Sequence, residues 1–261
     1  MHRLRLVLIA LCLLAACDGG DTSAEPSPRS VPSSATTAAA PTQPACRNQA
    51  DVVSDPAAGV GGALEVDVDG DGNDDEVFVA LDERAEEGCR AFVAVDTGTE
   101  ILAAPVWETG PQGGLPQPGI VALVDVNGEP GNEVIVREAA GASTEFAGLF
   151  VVTDGVLARV TIEGSSDEGI SDNLFAYGGS VGHLEAVGCE GAGTIVTSFA
   201  TPGNSPGDLE EGIYNVERKL FVFDGATLID AGIQQERIPV DELGQFKEFG
   251  SGPFGTCGPP A

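Results

Sequence analysis

The side chains between residues 67 and 75 carry the densest chemistry in the chain. Asp67, Asp69 and Asp71 stand at alternate positions, Asn73 follows with a backbone carbonyl to offer, and Asp75 completes the set. Calcium takes roughly six to eight hard oxygen ligands in a flexible geometry, and this spacing supplies them. Four carboxylates so close together repel one another without a cation, so calcium, in a structural role, is expected over a bare acidic turn. Gly70 and Gly72 allow the backbone to wrap tightly round an ion. A second loop keeps the spacing with Asp125, Asn127, Glu129, a carbonyl at Gly131, and Glu133. It is the weaker candidate, because Pro130 stands where the first loop has a glycine and Glu129 is longer than Asp.

The first loop resembles an EF-hand loop over nine positions, but the twelfth is Phe78, not a bidentate Glu, and an apolar β-rich run follows instead of a helix. The elements that must hold these loops are therefore strands. Residues 64–81 read LEVDVDGDGNDDEVFVAL and residues 122–138 read ALVDVNGEPGNEVIVRE, with Asp67 and Asp125 lying 58 residues apart. Downstream, Phe92-Val-Ala-Val-Asp96-Thr-Gly98 and Phe150-Val-Val-Thr-Asp154-Gly155 put Asp96 and Asp154 each 29 residues after the first Asp of their loop. Asp and Gly between alternating apolar runs predict hairpin turns. A third copy, Leu184 to Val196, has largely lost its acidic residues and places Cys189 at the position of Asp69. Its hairpin is expected at Asp224-Gly225, 37 residues after Val187, with the surplus attributed to a Gly/Pro-rich insertion at 200–212.

Matching offsets in independent features mark internal repeats of about 60 residues, near 60–104, 119–163 and 181–232. They resemble the FG-GAP/VCBS repeats of integrin α-chain propellers, and in particular VCBS-repeat lipoproteins of actinobacteria. The resemblance implies an all-β fold: a small or open β-propeller-like domain, with calcium in its loops and Asp75 completing the first site. Three repeats fall short of the roughly four to eight blades of a propeller, so residues 46–60 and 233–261 are candidates for closing strands. Strand-like runs fill most of the remainder, and DELGQFKEFG near the end suggests a short helical turn.

The chain opens with a basic stretch, then an apolar run from Leu6 to Ala16, too short for the roughly 20 residues of a membrane-spanning helix. This pattern predicts a secretory signal over 1–16. Its end, Leu14-Ala15-Ala16-Cys17, resembles the lipobox of bacterial lipoproteins, which implies a diacylglyceryl group on Cys17 and anchoring through acyl chains. Residues 17–45 are dominated by Ser, Thr, Ala and Pro and read as a disordered tether. The domain proper is expected over 46–261, exported, and held at the outer face of the cytoplasmic membrane or at the cell surface. In such a compartment Cys46, Cys89, Cys189 and Cys257 predict two disulfides. Three pairings exist; 46–89 with 189–257 is preferred because each would staple one end of the domain to a neighbouring repeat.

Twelve basic residues against 41 acidic give a net charge of −29, and loss of Arg3 and Arg5 with the signal deepens it by two. Such a surface excludes nucleic acid and favours cations and basic partners. His183 is the one histidine outside the signal, and no phosphate loop or H-E-x-x-H occurs. His183 is read as structural. Trp107, in a loop between repeats, is read equally as a stacking platform and as a cap on the core. The expected function is a non-catalytic binding or scaffold module of the cell envelope that takes a protein or glycan ligand. Two alternatives remain: a calcium-dependent hydrolase of envelope polymers, requiring Glu145, Asp167 or Asp172 to converge, and a calcium-sensing envelope protein.

Overall fold

The computed structural model describes residues 59–81, 90–106, 118–164, 173–203 and 212–258, all within one compact unit spanning 40–261. The signal, Cys17, the tether, Cys46, Cys89, Trp107, Asp167 and Asp172 lie outside the described residues.

The described chain is all-β, with two short 3₁₀ helices, Val240–Gln245 and Lys247–Phe249, near its end. β1 (Gly59–Val66), β2 (Asp75–Leu81), β3 (Ala91–Asp96) and β4 (Ile101–Pro105) form one antiparallel meander. β5 (Gly119–Val124), β6 (Glu133–Ala140), β7 (Thr144–Thr153) and β8 (Val156–Arg159) form a second. β11 (His183–Gly191), β12 (Thr194–Pro202), β13 (Ile213–Asp224) and β14 (Thr227–Pro239) form a third. A four-stranded antiparallel meander thus occurs three times, with a loop between the first two strands in the first and second and a tight turn there in the third. The hairpin turns follow Asp96, include Asp154 and Gly155, and follow Asp224. Asp154 and Gly155 both adopt positive φ, 51° and 74°, the backbone a type I′ turn requires.

The second meander lies between the other two. β6 is the run EVIVREAA, and strands buried on both faces read as continuous apolar runs. Alternate side chains divide between two cores. Val134 and Val136, with Phe150 and Leu157, pack on Val77, Val79, Val93 and Val95 of the first meander. Ile135, with Leu149 and Val151, packs on Val187, Ile195, Phe221 and Leu228 of the third. Each of these buried side chains contributes on the order of 2 kcal/mol.

One further strand joins the second and third meanders into a ten-stranded sheet, and another adds at its far edge. β10 (Phe175–Ser180) pairs with β7 on one side and β11 on the other, and β9 (Thr161–Ile162) runs parallel to the start of β14. Among the described residues neither sheet closes on itself.

Three expectations need correction. The third repeat does not end near 232, because β14 continues to Pro239. Residues 233–258 supply no closing strands: they complete β14 and then form the 3₁₀ turns and an irregular segment. That segment buries Phe254 against Phe175, ring centroids 5.4 Å apart. Finally, Cys189 is not in a loop equivalent to the first. It lies inside β11 opposite Ile195, and the connection to β12 is a two-residue turn at Ala192-Gly193.

Candidate functional site

The first loop leaves β1 after Val66 and enters β2 at Asp75. Asp75 is 3% exposed, and its Oδ2 accepts hydrogen bonds from Val68 N (2.8 Å) and Asp69 N (3.3 Å). Asp67 accepts from Gly70 N on Oδ1 and Gly72 N on Oδ2. Asp69 Oδ1 accepts from Asp71 N, and Asp71 Oδ1 accepts from the backbone and side-chain nitrogens of Asn73. Gly70 and Gly72 hold φ of 79° and 89°, which side-chain-bearing residues rarely adopt.

These bonds gather Asp67, Asp69 and Asp71 so that one carboxylate oxygen from each lies within 4.8 Å of the others. Oxygens about 2.3–2.6 Å from a calcium ion are at most roughly 5 Å apart, so the three fit one ion. Among the described residues nothing donates a hydrogen bond to Asp69 Oδ2 or Asp71 Oδ2. The Asp69 carboxyl is held above the usual carboxylate range by partial desolvation and by the charges of Asp75, Asp71 and Asp67. Asp75 does not join the triad; its carboxylate turns inward and closes the loop.

The second loop repeats the scaffold. Glu133, 3% exposed, accepts on Oε2 from Val126 N (2.6 Å) and Asn127 N (3.2 Å), as Asp75 does 58 residues earlier. Asp125 Oδ1 accepts from Gly128 N, and Asn127 Oδ1 accepts from Glu129 N. Yet among the described residues no triad of acidic oxygens converges here. Asn127 replaces Asp69, and Glu133 turns inward. Burial, abetted by the Asp125 charge and opposed by the two amide hydrogen bonds, pushes the Glu133 carboxyl up to about 7.

The loops are tied into one rim. Asp67 O accepts from Asn132 N (2.9 Å) and Nδ2 (2.8 Å). Asp125 O, 58 residues on, accepts from Gly258 N (2.9 Å), and Val126 O from Gly193 N (3.0 Å). Gly131 permits the first contact, since a Cβ there would lie 2.5 Å from Val68 O. The Cys189–Cys257 disulfide and the bonds of Thr256 Oγ1 with Cys189 N (2.7 Å) and O (3.1 Å) fasten the C-terminal segment beside the third turn. A cavity of about 370 Å³ opens at this rim, bounded by Asn127, Glu129, Glu133, Thr153, Gly193 and Phe223.

Elsewhere the polar clusters are bound into the fold. Glu145 Oε2 accepts from the Tyr177 hydroxyl (2.6 Å), and Arg137 lies 3.7 Å from Glu145. Burial, then this hydrogen bond, raises the Tyr177 pKa. His183, the first residue of β11, contacts Thr144 Oγ1 (3.2 Å) and Ser180 Oγ (3.4 Å). Two buried ion pairs carry no local sequence signal. Glu138, 4% exposed, takes a bidentate bond from Arg159 (2.7 and 2.8 Å). Glu248 accepts from Ser198 Oγ (2.6 Å) and Arg218 Nε (2.9 Å). Among the described residues no helix is long and apolar enough to cross a membrane.

Neither models of known families, nor curated proteins, nor solved structures match the chain.

Proposed function

We propose that this is an exported, lipid-anchored protein whose all-β domain binds calcium in its first loop and acts as a non-catalytic binding or scaffold module of the cell envelope. The observation that carries the reading is the convergence of Asp67, Asp69 and Asp71 within 4.8 Å on a loop already shaped by its own amide hydrogen bonds. Calcium would cancel the mutual repulsion of these carboxylates and stiffen the rim on which the loops meet. A structural extracellular site has an affinity of about 10⁻⁴–10⁻³ M, and a sensor about 10⁻⁷–10⁻⁵ M; the exposed triad favours the former. The resemblance to FG-GAP/VCBS repeats supports the same reading, with the three meanders as the blades of an open propeller-like stack.

The test is a thermal melt of residues 46–261, oxidised, in EGTA and in millimolar calcium, with Asp69→Ala beside the wild type. Calcium is expected to raise the melting temperature of the wild type and not of the variant. Equal melts with and without calcium would refute the metal assignment. Pull-downs that recover neither envelope protein nor glycan in calcium buffer would count against the binding role.

A further inference from the structure

Further along the third meander, β12 and β13 carry a second concavity that shares no residue with the loop rim. It has a volume of about 410 Å³, and its lining includes Phe175, Glu185, Thr197, Phe199, Glu217 and Lys219. Phe199 is 43% exposed although it sits mid-strand. Glu185 faces it across the β11–β12 pair. Glu185 Oε2 is shielded from solvent and accepts no hydrogen bond from the described residues. Nearby donors are directed elsewhere: Lys219 Nζ lies 3.7 Å from Glu217 Oε1, and Gln235 Nε2 donates to Glu217 Oε2 at 2.8 Å.

Buried polar atoms are almost always paired, and one without a partner calls for a donor from outside the chain. A carboxylate oxygen takes such a donor best when it is charged. The apolar wall and the half-exposed Phe199 ring, whose centroid lies 6.1 Å from that of His183, suit a hydrocarbon stem, and aromatic faces attract cations. A net charge of −29 concentrates cations at the surface. Pockets of about 300–1,000 Å³ with a few convergent polar groups are of ligand size.

We propose that this groove binds an organic cation, an ammonium or guanidinium on a short apolar stem, with Glu185 as its acceptor and Phe199 as the platform for the stem. The cation is either a free small amine or the side chain of a lysine or arginine on a partner protein. The inference does not depend on calcium, and its test runs in EGTA.

The experiment is isothermal titration of the full chain in non-ionic detergent, at physiological ionic strength, with agmatine and with its neutral counterpart butylurea. Saturable agmatine binding is expected, with no saturation by butylurea. Glu185→Gln, which keeps shape and removes charge, should weaken agmatine about tenfold or more with an unchanged melting temperature, and Phe199→Ser should weaken it severalfold. A parallel arm uses backbone-capped arginine and lysine amides: binding at least as tight as agmatine identifies a protein side chain as the source, and clearly weaker binding identifies a free amine. Failure of agmatine to saturate, equal binding of butylurea, or agmatine affinity unchanged in both variants would overturn the proposal.

Discussion

Glu133 offers a quantitative handle on the second loop. Its carboxyl is 3% exposed and pushed from 4.5 to about 7, chiefly by burial. Folding therefore raises its proton affinity, so its protonated form favours the native state. That contribution is complete below pH 4.5 and is lost as pH rises through 7, because the native state must then bury a carboxylate or release it. A shift of about 2.5 units at about 1.36 kcal/mol each amounts to about 3 kcal/mol. Glu133→Gln keeps a side-chain oxygen for Val126 N and Asn127 N and removes the proton equilibrium. In EGTA, the stability of the wild type relative to this variant should fall by about 3 kcal/mol between pH 4.5 and pH 8. With a urea slope of roughly 2 kcal/mol/M, that is a relative midpoint shift of roughly 1.5 M by circular dichroism. Metal ligation requires the ionised form, so calcium held by Glu133 would restore the wild type at pH 8 more than the variant. A wild-type-minus-variant difference that does not change with pH would refute the reasoning.

Four other outcomes are expected. Calcium protection in melts should vanish in Asp69→Ala, as set out above. Gly148→Ala places a Cβ 1.8 Å from Glu138 Oε1 and 2.5 Å from Arg159 Nη1; displacing this buried pair should cost about 3–5 kcal/mol in urea unfolding, and an effect below about 1 kcal/mol would show that the pair is easily re-sited. Removing the Cys189–Cys257 bond, which spans 68 residues, as the double serine variant should cost on the order of 4 kcal/mol by loop-closure entropy, measured by chemical denaturation. Labelled palmitate fed to the expressing bacterium should enter the chain, and Cys17→Ser should abolish the label; persistent label in the variant would contradict lipidation at Cys17.

Local chemistry made much of the fold legible. Period-two runs such as Phe92-Val-Ala-Val and Asp-Gly dipeptides at strand ends act within a few residues, so the β strands and all three hairpin turns can be read directly. The alternate aspartates of the first loop likewise announce themselves, because their geometry depends on amides two to five residues away. The tertiary structure decided what depends on distant partners. Asp75 and Glu133 are buried at the mouths of β2 and β6, where one carboxylate oxygen of each takes amides of its own loop. β10 has only six residues and a glycine pair, and it is a strand because β7 and β11 offer it two edges. The third copy aligns with the first by residue type, but the hydrogen-bond register of β11 with β12 extends the strand through Cys189 and leaves a two-residue turn where a loop was expected. The 3₁₀ segment after β14 is held by Glu248 on Arg218 and Ser198, contacts 30 and 50 residues away. Periodicity encodes which face a residue takes; it carries no information about which element will cover that face, and only packing settles it.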